Sequence, residues 1–279
     1  MSRPDETRET STEISAPAHD GAEISRQESA DRQEAEADLG ATVAALTADD
    51  IEPAGRRQLL GRLVSDIRRS GLGQMFRPKA AMRWMADTVG RIAPHVPVRD
   101  RDTLRRHFPD LDDDALAERL VRNAARATAG IGAAGGGVAS LEWAATPTLL
   151  SAPILLVAET VAVVAVELKL IGELHEVYGR PVTGTAGQRA TTLIHVWSSQ
   201  RGVNPMVPGT GVASVLGTAA RKELQTALMR RFGRNLTTMG PLLTGAAVAS
   251  YLNRRATRHL GEHLRKELRR HRRKALPES

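Results

Sequence analysis

The stretch Ala152–Gly179, APILLVAETVAVVAVELKLIGELHEVYG, decides the fold. It is either a membrane span or the central helix of a bundle. On a helical wheel of about 100° per residue, Val157, Val161, Val164, Leu168, Ile171 and His175 gather on one side. Glu159, Val163, Val166, Leu170, Glu173 and Val177 gather on another. Neither side is cleanly polar, so the helix is expected to be surrounded on most of its circumference. The energetics of insertion separate the two readings. The ten Leu, Ile and Val residues between 148 and 166 favour a bilayer by roughly 3–6 kcal/mol, while an acid at the centre, Glu159, opposes it by roughly 2.5–3.5 kcal/mol. Ser151, Pro153 and Thr160 erode the remainder. The sum lies near zero, so a buried core helix is expected, with insertion open only to paired hairpins that enter together. A further uncharged run, Leu236–Leu252, has 17 residues and is weakened as a span by its Gly, Thr and Pro.

Working outward, the composition favours helices. Of 279 residues, 41% are hydrophobic but only 3% are aromatic. The core must therefore be built from Ala, Leu, Val and Ile, which suits close helix packing better than a β-sandwich. The absence of cysteine excludes a disulfide framework, Cys-based zinc sites and a thiol nucleophile. Residues 1–40 carry four basic and eleven acidic side chains and almost no large apolar residues. They read as a disordered acidic tail. Without an apolar run they do not read as a secretory signal, so the expected place is the cytoplasm at the inner face of the cell membrane. Residues 253–279 invert the balance, with ten basic and three acidic side chains.

Helical periodicity recurs along the chain. In DDIEPAGRRQLLGRLVSDIRRS, Leu59, Leu60, Leu63, Val64 and Ile67 return at three- and four-residue steps. PKAAMRWMADTVGRIA places Met82, Met85, Val89 and Ile92 together, and Pro94 and Pro97 end it. DLDDDALAERLVRNAARATAGIGAAGGGVASL opens with carboxylates suited to a helix N-terminus. No convincing alternating strand is found. The expected fold is all-α, a multi-helix bundle of roughly seven to nine helices with Gly/Ala-rich central helical hairpins. It divides into an acidic tail (1–40), an N-terminal helical region (41–110), a helical core (111–252) and a basic C-terminal helix (253–279).

AETVAVVAVELKLIGELHEVYG resembles the central helix of EcsC-like proteins, through Glu159, Leu168, Leu170, Ile171, Tyr178 and Gly179. GPLLTGAAVASYLNRRATRHLGEHL is similar to the C-terminal pattern of that family, through Pro241, Gly245, Ala246, Asn253 and Thr257. The resemblance spans roughly residues 110–265 and rests on soft hydrophobic patterns. Glu159 stands where the family pattern has Asp, and Arg180–Pro181 departs from its Tyr-Asp-like continuation. The resemblance implies a helical, membrane-associated bacterial protein without established chemistry, with an accessory role in membrane transport or an envelope process.

Two motifs invite a chemical reading. HLGEH, His259–His263, has H-x-x-E-H spacing, with His259 and His263 as ligands and Glu262 as base. A zinc protease also needs a third ligand far downstream, and the surrounding arginines would repel a dication. GIGAAG, Gly130–Gly135, matches G-x-G-x-x-G, which counts only between a strand and a helix, whereas the residues before it are helical. A close helix contact through small residues is the simpler reading. No catalytic residue, metal or cofactor is therefore expected, and the chain reads as non-enzymatic.

Glu159, Glu142 and Glu167, if buried, each need a partner or a proton, and Arg126 and Arg221 are the candidate partners. In the C-terminal helix, Leu252, Ala256, Leu260, Leu264 and Leu268 form a seam at four-residue steps. Arg254, Arg255, Arg258, Arg265, Lys266, Arg269, Arg270, Arg272, Arg273 and Lys274 surround it. Such a helix can lie on an anionic membrane surface or meet a membrane protein. The absence of aromatics for base stacking argues against nucleic acid. A soluble module that binds a protein partner through its Gly/Ala-rich surfaces is the alternative.

Overall fold

The computed structural model describes residues 20–69, 87–145, 152–200 and 242–275. The described residues are helical with short connections and contain no strand. The helices are α1 (Asp20–Leu46), α2 (Pro53–Arg69), α3 (Arg101–His107), α4 (Asp113–Ala145), α5 (Ala152–Val177), α6 (Ala186–Gln200) and α7 (Leu242–Ala275). Residues 87–92 are also helical and lead into a 3₁₀ turn, Ala93–His95. The all-α bundle is as expected. Helices expected within 201–241, the start of PKAAMRWMADTVGRIA and Arg221 lie outside the described residues.

The chain forms two compact units, Met1–Ala37 and Asp38–Ser279. Residues 20–40, expected to be disordered, are helix here, which corrects that reading. Ala, Glu, Gln and Arg dominate the segment and are good helix formers, although it has almost no large apolar residues. The described side chains ahead of Leu39 are exposed, and Leu39, Val43 and Leu46 are buried.

Helix α5 answers the opening question. Ala158, Val161, Ala162, Ala165, Leu168, Ile171, Leu174 and Val177 are all fully buried. Its whole circumference is covered, by α2 and α4, by α6 and by α7. No described helix is long and apolar enough to cross a membrane. At its end, Gly179 adopts φ 70°, and the Arg180 amide donates to the His175 carbonyl (2.8 Å). This left-handed stop requires glycine and turns the chain back toward α6.

Helix α4 runs antiparallel to α7, and the GIGAAG segment lies in the middle of α4. A methyl group on Gly132 would come within 2.8 Å of the Ala249 backbone, and one on Gly136 would meet Ala246. Gly130 leaves room on another side for Arg56, whose Nη1 donates to the Ala127 carbonyl (3.2 Å). The glycines thus serve helix contact rather than a phosphate loop.

Asp112 and Asp100 fix the starts of α4 and α3, accepting hydrogen bonds from the amides of Ala115 and Thr103 (each 2.7 Å). Thr185 and Gln188 form a reciprocal capping box ahead of α6.

Candidate functional site

Helix α7 has two faces with different work. Its inner face carries Asn253, Thr257, Leu260, Leu264 and Leu268, all buried. The expected seam is thereby corrected at its start, because Leu252 is exposed and Ala256 only half-buried. A strict four-residue step drifts by about 40° each time, so five such positions cannot stay on one face. The buried line follows mixed steps of three and four instead.

The two polar residues on this inner face meet carboxylates of α5. Asn253 Nδ2 donates to Glu159 Oε1 (3.2 Å). Thr257 Oγ1 donates to Glu167 Oε1 (2.7 Å), and Trp197 Nε1 of α6 donates to Glu167 Oε2 (2.8 Å). Glu167 is completely buried. Arg126, one expected partner of these acids, pairs with neither of them: it sits exposed on α4 and makes no ion pair among the described residues. The side chain of Glu142 lies outside the described residues.

Lower on α5 a denser charge cluster appears that was not singled out from sequence. Arg99 grips Glu173 with two bonds, Nε to Oε1 (2.7 Å) and Nη2 to Oε2 (3.0 Å). The same guanidinium reaches Asp49 (2.9 Å). Lys169 lies 3.9 Å from Glu173 and 3.5 Å from Asp49, and donates to the Thr47 carbonyl (2.9 Å). Burial pushes the Glu173 carboxyl above its usual range despite Arg99 and Lys169. One signal was available: Lys169 and Glu173 stand four apart inside an apolar helix.

The ten cations expected to contact a membrane separate by direction. Arg272, Arg269 and Arg265 turn inward to the acidic start of α4. Arg272 reaches Asp113 (2.6 Å), Arg269 reaches Asp114 (3.4 Å) and Arg265 reaches Glu118 (3.7 Å). Asp113 also holds Arg101 (3.0 Å) and Arg105 (2.7 Å). Partial burial opposes its charge, but the Arg272 hydrogen bond and the surrounding arginines win, and its carboxyl sits below its usual range. Tyr178 Oη donates to Asp114 (2.9 Å), and burial together with that bond pushes its hydroxyl up.

Outward, Arg254, Arg255, Lys266, Arg270 and Arg273 are exposed and make no ion pair among the described residues. Arg258 pairs with Glu262 on the helix itself (2.7 Å). Lys274 lies in α7, and its side chain is outside the described residues. Val248, Arg255, Lys266 and Arg273 fall on nearly one line, since steps of seven and eleven return to nearly the same helix face. Beside Val248 stand Tyr251 and Leu252, and these three are the exposed large hydrophobics among the described residues. Composition points to the cations but hides the apolar end of the face, because four-residue spacing places Leu252 in the seam.

HLGEH does not converge as a site. His259 is exposed, Glu262 is taken by Arg258, and His263 Nδ1 lies 2.7 Å from Gln200 Oε1. Among the described residues no three metal-ligating side chains gather.

Comparison with models of known protein families, with characterised proteins and with solved structures finds no match.

Proposed function

We propose that this chain is a non-enzymatic helical protein of the EcsC-like type that lies on an anionic membrane surface through the outward face of α7. One observation carries the reading. Val248, Tyr251 and Leu252 are exposed at one end of the same helix face that displays Arg255, Lys266 and Arg273 without ion pairs among the described residues. An apolar end flanked by unpaired cations suits the boundary between acyl chains and headgroups. The apolar side chains enter, Tyr251 keeps its hydroxyl at the polar level, and each cation adds about 1 kcal/mol near anionic lipid. The buried state of α5 supports attachment to a surface rather than passage through it. An accessory role in membrane transport or an envelope process is what the resemblance implies.

The test is flotation of the full chain with vesicles of phosphatidylcholine alone and of phosphatidylcholine mixed with phosphatidylglycerol. Retention on the anionic vesicles only, released by high salt, is the expected result. Equal behaviour with both vesicles, or none with either, overturns the reading. In that case the same face would be examined as a protein-binding surface.

A further inference from the structure

A second charged feature lies away from the outward face of α7. An open cleft of about 540 Å³ sits between the α1–α2 turn, the end of α3, and helices α4 and α5. Its floor is the cluster already described, in which Arg99 and Lys169 are committed to Asp49 and Glu173. Its α4 wall is different. Arg119, Asn123 and Arg126 occupy positions i, i+4 and i+7 and so share one face of the helix. Neither arginine forms an ion pair among the described residues. The Arg119 guanidinium carbon lies 6.0 Å from the centre of the Phe108 ring, which holds its head in place without neutralising it.

We propose that this cleft binds a small phosphate ester, its phosphate held by Arg119 and Arg126 with Asn123 between them. Two guanidinium forks on one helix face match an anion with three or more acceptor oxygens better than a monocarboxylate, which a single fork satisfies. The floor resists any approach of a cation, because its carboxylates are already occupied. The volume falls in the range of about 300–1,000 Å³ typical of small-molecule sites, larger than an inorganic ion needs. The ligand therefore carries an organic portion that lies toward Phe108 and Ala48. Asp50, exposed and without an ion pair among the described residues, is the opposing charge at the lining. It restrains affinity for any anion held by the two arginines.

The probe is inorganic pyrophosphate, titrated calorimetrically into the full chain at low salt. Saturable binding is expected. Arg119→Ala combined with Arg126→Ala should weaken it by about tenfold or more, and Asp50→Asn should strengthen it. Both arginines are exposed and make no ion pair among the described residues, so the fold should survive, which circular dichroism verifies. Arg255→Gln with Lys266→Gln, on α7 and outside the cleft, should titrate like the unaltered chain. The proposal is overturned if pyrophosphate does not bind, if the α4 pair can be removed without loss, if Asp50→Asn weakens binding, or if the α7 variant accounts for the loss. Flotation then locates the phosphate. If the α4 double variant also leaves anionic vesicles, the phosphate belongs to a lipid headgroup. If it floats like the unaltered chain, the ligand is a soluble ester. Either result is consistent with the cleft, and neither depends on the α7 surface being correct.

Discussion

Arg272 and Asp113, separated by 159 positions, are joined at 2.6 Å where the end of α7 meets the start of α4. This contact places a cationic side chain from the last turns of one helix against the positive end of another, with the Asp113 carboxylate between them. Asp113 serves the helix dipole and three arginines at once. Its pKa is held below the usual value, so the folded chain binds this proton more weakly than the unfolded chain does. The stabilisation is fully present above the ordinary aspartate value of about 3.9 and is lost as pH falls through the lower, folded value. Asp113→Asn should therefore lower the urea midpoint at neutral pH. The difference from the unaltered chain should hold down to about pH 4 and shrink below it. A difference that does not change with pH would show that the arginines contribute nothing through this carboxylate.

The glycines of α4 make a sharper test of packing. At Gly132 a methyl group would press on backbone atoms of α7 at 2.8 Å, and those atoms cannot swing aside. Gly132→Ala should destabilise by about 1–3 kcal/mol. Gly61, inside α2, has nothing within 4 Å of an added methyl group. Gly61→Ala should stabilise by about 0.4–1 kcal/mol, chiefly by restricting the unfolded chain. Urea denaturation of both variants reads the two signs directly. Equal effects would mean that α4 and α7 do not meet as closely as 2.8 Å implies.

The buried pair Arg99–Glu173 should respond asymmetrically. Removing the cation leaves the buried Glu173 carboxylate beside Asp49 with only Lys169, at 3.9 Å, as a counter-charge, so Arg99→Met should cost toward the lower end of about 3–5 kcal/mol. Removing the anion leaves Arg99 with Asp49 and Lys169 with both Asp49 and the Thr47 carbonyl. Burial already disfavours the charged form of Glu173, so Glu173→Gln should cost much less. The folded chain holds this proton more tightly than the unfolded chain. The effect of the group on stability thus becomes less favourable as pH rises from the ordinary glutamate value through the folded one. Unfolding curves across that window should show Glu173→Gln gaining on the unaltered chain as pH rises. A loss for Glu173→Gln as large as for Arg99→Met would contradict the raised pKa.

These contacts mark where sequence reasoning reached and where it stopped. Local period and length identified α2, α4, α5 and α7, because each must bury a face that recurs every three or four residues. The core position of α5 followed from the cost of Glu159 in a bilayer. Partners did not follow, since they depend on which helices cross at which height. Glu167 meets Trp197 and Thr257 across 30 and 90 positions, and no spacing announces that. Asp49 lies in a turn where an acid is ordinary, and only the approach of Arg99 makes it part of a cluster. The helix at residues 20–40 was missed for the opposite reason. Its composition cannot build a core, but helix propensity needs none.

The division of cations on α7 yields the test closest to function. Arg265, Arg269 and Arg272 each meet an acid of α4, whereas Arg255, Lys266, Arg270 and Arg273 meet none among the described residues. Total charge is the same for either set of three glutamine substitutions. If net charge alone governs attraction to anionic lipid, the sets should weaken vesicle binding equally. If the outward face makes the contact, Arg255→Gln with Lys266→Gln and Arg273→Gln should release the chain at markedly lower salt and leave its urea midpoint unchanged. Arg265→Gln with Arg269→Gln and Arg272→Gln should lower the midpoint and alter retention less. The apolar end adds an independent arm. Tyr251→Asp should reduce retention even at low salt, because it removes inserted surface and adds a repelled charge. Retention that follows charge count alone and ignores Tyr251 would leave α7 as a diffuse cation rather than a face.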